Sequence, residues 1–334
     1  MNGRKHRWFI LGASLIPLAA VFGAMAALWN RIFSWTDMVV LAIMYVISGI
    51  GVSVAYHRML THRSFETYKP IRVALATAGV MAGQGPPLIW AAHHRKHHRV
   101  ADKPGDPHSP HLDFEPGFKG TMAGLWHSHL GWLFDVELTS EPMRYCPDLV
   151  REKSLRWLSR HLVLVTTAGV ILPGLIAYAM TGSWQALLTG ILWGGLVRIF
   201  LVNHLTYAVN SVGHVFGSRR FETTDKSRNV AWLAVPSFGE AWHNNHHAFP
   251  RSARHGMKWY EIDLSAIFIW GLEKTHLAWK VIRIDPERLT MREAKISRVD
   301  GSSLERRELL EAQQKLVPMA ERRRDADASL VDVE

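Results

Sequence analysis

What most constrains this chain is where its charge is missing. Crossing about 30 Å of hydrocarbon takes roughly 20 predominantly apolar helical residues, and four stretches of the 334-residue sequence reach that length. They are Phe9 to Trp29, Met38 to Tyr56, His161 to Met180, and a run from Trp184 through Leu205. Short connectors, 30–37 and 181–183, join them into two hairpins. Mean hydropathy is near zero only because these runs average with long charged stretches. The expected fold is an all-α integral membrane protein with four transmembrane helices. A polar cap, 57–160 and 206–284, completes a membrane domain over 1–284, and 285–334 reads as a charged C-terminal helix and tail.

Orientation follows from the basic residues. Arg4, Lys5 and Arg7 precede the first run, which is too long for a signal-peptide core and lacks a small-residue cleavage site. Excess Lys and Arg stay in the cytoplasm, so the N-terminus is expected there. The long polar regions hold nearly all the remaining Lys and Arg and fall on the same side, which places the cap and both termini in the cytoplasm. The apolar stretch Ile71 to Trp90 is interrupted by Gly83, Gln84, Gly85, Pro86 and Pro87 and reads as interfacial or re-entrant, since a crossing there would send the second basic half outward. Lone Cys146 excludes a disulfide framework, a CxxC pair, a zinc ribbon and a thiolate-held cluster. Metal chemistry must then use imidazole or carboxylate.

Nineteen histidines supply the imidazoles, and they cluster where the topology brings the chain to one face. YHRMLTH gives His57 and His62, and HHRKHH gives His94, His97 and His98, with His93 just before them. NSVGH gives Asn210 and His214, and HNNHH gives His243, His246 and His247. Positions i, i+3 and i+4 share a helix face, so each HxxHH is expected to aim three rings at one point. His57 and His62 diverge by about 140° in an unbroken α-helix, which predicts a helix end or kink between them. Nine imidazoles and an amide exceed what one ion holds, so two metal ions are the economical reading. Solvated surface histidines have no need of two identical triplets.

HRMLTH, HRKHH, NSVGH and HNNHH resemble the boxes of membrane fatty acyl desaturases of the delta-9, stearoyl-CoA type. The resemblance extends through GDPHSPH, the HSHLGW segment at His127 to Trp132 and Gly239 to Pro250, covering roughly Met38 to Ile284. It implies a non-haem di-iron centre, with the nine histidines as ligands and Asn210 acting through water. Iron suits the chemistry, because hydrogen removal from an unactivated methylene needs a one-electron oxidant that redox-silent zinc cannot supply. It further implies O2 as oxidant, a cis alkene as product and a separate electron donor, a ferredoxin or similar with its reductase. No fused haem motif or four-cysteine cluster is visible. The lipid bilayer is the expected partner surface, and no nucleic acid is expected.

Behind the ligands, Asp106, Asp225 and Glu240 lie close enough in sequence to orient imidazoles. Trp90, Trp126, Trp132 and Trp242 flank the boxes and are candidates to line a dry site or to anchor at the membrane interface. The resemblance also implies an acyl tunnel. Tyr45 and Gly49, on a stripe running back from His57 through Ser53, match positions that close its far end, the glycine leaving room for a long chain. Gln84, Trp90, Thr206 and Tyr207 match positions at its bend.

Acyl-CoA is the expected substrate, with departures. Where acyl-CoA members carry an Arg-Asp pair this chain has Ala92 and His93, and where they carry basic residues it has Asp135 and Glu137. Arg72, Lys103, Lys119 and Arg144 remain to meet phosphates, and an acyl chain held in a phospholipid is the alternative. A His-box alkyl or lipid hydroxylase is the competing enzyme reading. A membrane metal carrier predicts ligands inside the spans, and a haem-b cytochrome predicts facing His pairs there.

Overall fold

In a computed structural model, residues 3–29, 33–112, 114–135 and 140–300 are described. Glu137 and the tail from 301 onward lie outside the described residues. Four helices among those described are long and apolar enough to cross a membrane: Ile10–Leu28, Trp35–Thr61, Leu162–Thr181 and Trp184–Val215. They are called spans 1 to 4 below. Spans 2 and 4 run beyond the apolar limits expected from sequence, to Thr61 and Val215, and so carry His57 and His214 on their own final turns.

Local chemistry sets the ends. Span 2 starts at a capping box, in which Asp37 N donates to Ser34 Oγ at 3.3 Å and Ser34 N donates to Asp37 Oδ2 at 2.9 Å. The turn between spans 3 and 4 uses Gly182 at φ 68°, a left-handed conformation that glycine adopts without penalty, and Ser183 caps the next helix through Ala186 N. Spans 3 and 4 then pack closely, because Gly174 and Gly190 lie against each other's backbone with no room for a Cβ. Buried Arg198 sits within span 4, its guanidinium donating to the carbonyls of Gly194 (3.1 Å), Met81 (2.6 Å) and Gly169 (2.8 Å). A charge in that position is tolerated when backbone oxygens surround it, and this one pins span 3 to the end of the helix Lys69–Met81.

The stretch Ile71 to Trp90 forms no span. It breaks into the 13-residue helix Lys69–Met81 and the start of a second helix, Pro87–Val100, with Gly83 and Gly85 at positive φ between them. Gly51 of span 2 and Gly79 touch backbone to backbone, which lays the first of these helices against span 2. Antiparallel strands Glu66–Thr67 and Ala278–Trp279 clasp the two halves of the cap. The chain divides into a compact unit ending at Arg283 and a second from Ile284, described here only as the helix Pro286–Asp300.

The helix of span 2 ends between His57 and His62, at Thr61, with His62 as its C-cap, as the sequence predicts. What the sequence does not predict is that Ile50–Thr61 is a π-helix, in which His62 N donates to His57 O at 3.1 Å. Bonds from i to i+5 stack residues five apart, so the wider turn carries both rings to one side, with centroids 4.7 Å apart.

Candidate metal centre

The nine histidines converge in two adjoining groups. His57, His62, His94, His98 and His246 form one, and His97, His214, His243 and His247 the other; within each, one nitrogen per ring lies within 4.8 Å of all the rest. Neither HxxHH triplet serves a single point, contrary to the simple helical-face reading. In Pro87–Val100 the i and i+4 rings, His94 and His98, enter the first group, while His97 turns to the second. In the helix His243–Ala248 the assignment is exchanged, with His243 and His247 in the second group and His246 in the first. Residues i+3 and i+4 point about 100° apart, and that divergence lets one short helix supply both groups. Asn210 lies one turn before His214 on span 4, half-buried.

Four rings carry a carboxylate on Nδ1. His57 meets Glu240, His97 meets Asp106 at 2.9 Å, His247 meets Asp225 at 3.1 Å and His214 meets Asp102 at 2.8 Å. The first three carboxylates were legible in the sequence and Asp102 was not. It is held by Ser109 Oγ at 2.7 Å and by Lys226 N at 2.7 Å. His255 and His108 were also missed. His255 is fully buried, bonded to Arg58 at 3.2 Å, and its ring lies 4.5 Å from that of His246. His108, from GDPHSPH, stacks on His97 at 4.3 Å.

These carboxylates decide the tautomers. A carboxylate accepts from Nδ1–H, which leaves Nε2 of the same ring with a bare lone pair. His97 and His247 are both fixed in this way, yet their Nε2 atoms face each other at 3.4 Å. Neither nitrogen then has a proton to offer the other, an arrangement that a bound cation satisfies. In the first group His62 Nε2 is buried without a hydrogen-bond partner among the described residues, and His57 Nε2 lies 3.0 Å from His246 Nε2. An imidazole-rich donor set with open lone pairs fits a borderline metal ion such as iron.

Burial, reinforced by neighbouring imidazoles, holds His62, His94, His98, His243 and His246 well below the ordinary histidine range. Burial also takes His247 down to about 4, against the pull of Asp225. Burial opposes the charged form of His97 too, but Asp106 outweighs it and raises that ring. Burial disfavours ionised Asp102, Asp106, Asp225 and Glu240 as well, yet their histidine partners hold all four below the usual carboxylate range. The six lowered rings, His62, His94, His98, His243, His246 and His247, are therefore neutral and ready to ligate. A histidine kept neutral when folded takes up its proton on unfolding, so its stabilisation is present above roughly pH 6.5 and falls away below it. His97 alone contributes in the opposite sense. Iron-free protein is thus expected to lose unfolding midpoint steadily from roughly pH 6.5 to 5, and a midpoint that rises on acidification contradicts this balance.

Trp90 stacks on His94 with centroids 5.1 Å apart, and Trp132 stands edge-on to His108 at 5.3 Å and His93 at 5.5 Å. Trp242 is buried. Trp126 is 62% exposed and lines nothing at the cluster.

The positions expected to hold an acyl chain are only partly assembled. Trp90 Nε1 donates to Gln84 Oε1 at 3.3 Å, and Gln84 Nε2 to Asn203 Oδ1 at 2.7 Å. Tyr45 and Trp90 pack around Val52, Ala82 and Val202, and Thr206 donates to Val202 O at 2.9 Å. The Tyr207 ring lies 5.7 Å from that of His129. Gly49 leaves no open space: the Phe238 ring lies directly on it, 5.7 Å from the ring of Tyr45. Phe238 is buried and held at φ 58°, so it has little freedom to retreat. Gly49→Ala should therefore cost about 1 to 3 kcal/mol, read as a lowered unfolding midpoint, and an unshifted midpoint counts against this packing.

Comparison with known proteins agrees with the site. Residues 33–266 match the fatty acid desaturase family model. The chain is 42% identical over 282 residues to a hex-5-enoyl-[acyl-carrier protein] acetylenase of Moorena producens, covering 84% of this chain and 87% of the relative. It is 39% identical over 278 residues to delta-9 acyl-lipid desaturase 1 of Arabidopsis thaliana, covering 83% and 85%. It is 37% identical over 266 residues to an sn-1 stearoyl-lipid 9-desaturase of Synechocystis, covering 79% and 77%. With four spans, two histidine groups and a family match over most of its length, the chain belongs to the fatty acid desaturase family.

Proposed function

We propose that the protein inserts a cis double bond into saturated acyl chains esterified to membrane lipids, using O2, a separate electron donor and two irons. The five-histidine and four-histidine groups would each hold one iron, with Asn210 acting on the second through water. The observation that carries this is the pair of Nε2 lone pairs of His97 and His247, forced to face each other by Asp106 and Asp225. Bound there, the irons would supply the one-electron oxidant that hydrogen removal demands.

The remaining work belongs to the chain. Carboxylates on Nδ1 hold four rings in the ligating tautomer, and Trp90 covers His94 and keeps water from that side. Gln84, Trp90, Thr206 and Tyr45 would guide the acyl chain, with Tyr207 at its edge, and Phe238 over Gly49 would close the far end. The acyl-CoA expectation loses one phosphate partner, because Arg72 is engaged by Glu152 at 3.0 and 2.7 Å. Two of the relatives described above are named for acyl-lipid substrates, which supports the lipid-bound reading.

Lipid analysis of a host expressing the chain tests the proposal, with double bonds located by derivatisation in each lipid class. A new bond at the delta-9 position in glycerolipid acyl chains is expected. Hydroxylated chains would turn the reading to a hydroxylase, and product formed only from acyl-CoA would return the substrate to the thioester. The basic residues around the cluster support a cytoplasmic position for it. Reporter fusions after Arg63 and after Pro250 should both read cytoplasmic and a fusion at Gly182 the opposite; disagreement between the first two would leave the single cluster topologically impossible.

A further inference from the structure

Residues 230–238 belong by sequence to the polar cap, yet they pack beside the spans, from the edge of the metal cluster back to Tyr45 and Gly49. Tyr45 Oη donates to Pro236 O, and Phe238 covers Gly49. Tyr45 lies twelve residues before His57, at most about 18 Å back along the helix. On the other side Val230, Leu233 and Ala234 pack against Leu205, Ala208 and Val212 of span 4. The segment is therefore wedged between spans 2 and 4. Its outer face is apolar, with Trp232 71% exposed and Val235 45% exposed.

A second segment continues that face. Trp242 Nε1 donates to Ile262 O at 2.8 Å, Ser265 N to Phe238 O at 3.3 Å, and Ser265 Oγ lies 2.6 Å from Ser53 Oγ of span 2. These contacts hold 258–270 against the first segment and against span 2. Here too large apolar side chains point away from the protein: Trp259 is 91% exposed and Trp270 54%, with Tyr260, Ile262 and Ile267 between them also exposed. Lys258 Nζ lies 5.6 Å from the Tyr260 ring and Lys274 Nζ 5.9 Å from the Trp270 ring.

We propose that this face is a membrane-docking surface, in which 230–238 and 258–270 enter the bilayer interface beside span 2 and are covered by lipid. Depth is the argument. Contacts with Tyr45 and Gly49 bring the face alongside a helix whose own outward residues, Ile43, Val46 and Ile47, are apolar and exposed, so one lipid-facing surface runs from span to cap. Trp and Tyr rings with adjacent lysines suit the headgroup layer, where the ring is half-solvated and the amine reaches phosphate. A soluble partner explains exposed aromatics in a cap, but not their continuity with a span. The surface also tethers the strand of chain that carries Glu240, two residues beyond Phe238.

Nitroxide labels at Trp232→Cys and Trp259→Cys, with Lys103→Cys as a cap control, test this in full-length, iron-loaded protein reconstituted into phosphatidylcholine–phosphatidylglycerol bilayers. Cys146 is buried and should stay unlabelled, which the unsubstituted protein checks. Collision with O2, which concentrates in hydrocarbon, should exceed collision with a water-soluble nickel chelate several-fold at both face positions, and the ratio should reverse at 103. Aqueous behaviour at both 232 and 259 in bilayers overturns the proposal. So does a chelate accessibility that is high in bilayers and falls only when a soluble electron donor is added. Because both labelled side chains are exposed, their removal leaves the core intact, and size exclusion with iron content confirms it. Failure here leaves the desaturase reading untouched, since that is read from product.

Discussion

His97→Ala is expected to abolish desaturation and to weaken retention of the iron proposed for the four-histidine group, while the folded protein survives. His97 is the candidate ligand most committed by its surroundings: Asp106 fixes its tautomer, His108 stacks on its face, and its Nε2 faces that of His247. Without it the second group keeps three imidazoles, the number of protein ligands with which catalytic zinc sites still bind metal. Iron affinity at that group is therefore expected to weaken rather than vanish, while the redox pair is broken. His246→Ala makes the matching test of the five-histidine group. Metal analysis beside turnover checks both, and a variant of either kind with full iron and full activity overturns the ligand assignment.

Why some of this was legible and some was not follows from the range over which each signal acts. Spans are long apolar runs, so composition alone shows them, and HxxHH is a local spacing. Span ends were placed short because His57 on span 2, and Thr206 and Asn210 on span 4, interrupt the hydropathy without interrupting the helix. The π-helix of Ile50–Thr61 has no local signature: it persists because His57 and His62 both pack into the same cluster, a tertiary demand that overrides the 3.6-residue period. Asp102 escaped notice because its partner, His214, lies 112 residues away, whereas Asp106 sits nine residues from His97. Gly49 misled for a related reason. A glycine on a helix face signals close approach, but sequence does not say whether a substrate or Phe238 makes it.

Glu240→Gln should lower iron retention or turnover by about 10- to 100-fold, with a further loss of stability that Asp102→Asn does not share. Both carboxylates orient an imidazole of the proposed ligand set, Glu240 on His57 and Asp102 on His214. Glu240 has other partners as well. Arg58 is fully buried, donating to Glu240 Oε1 at 3.1 Å, to Asp263 Oδ2 at 3.1 Å and to Ala253 O at 2.8 Å. Removing one charge from such a buried set costs about 3 to 5 kcal/mol when the remaining ion is left uncompensated. Here Asp263 stays, so the cost falls below that range. Gln also presents an amide where His57 Nδ1–H needs an acceptor, and its oxygen can serve His57 or Arg58 better than both. Iron retention under chelator challenge, compared with the unfolding midpoint of the iron-free form, separates the two effects. Asp102→Asn should move only the first, and Glu240→Gln should move both; equal midpoints for the two variants would mean that Glu240 acts on His57 alone and that Asp263 suffices for Arg58.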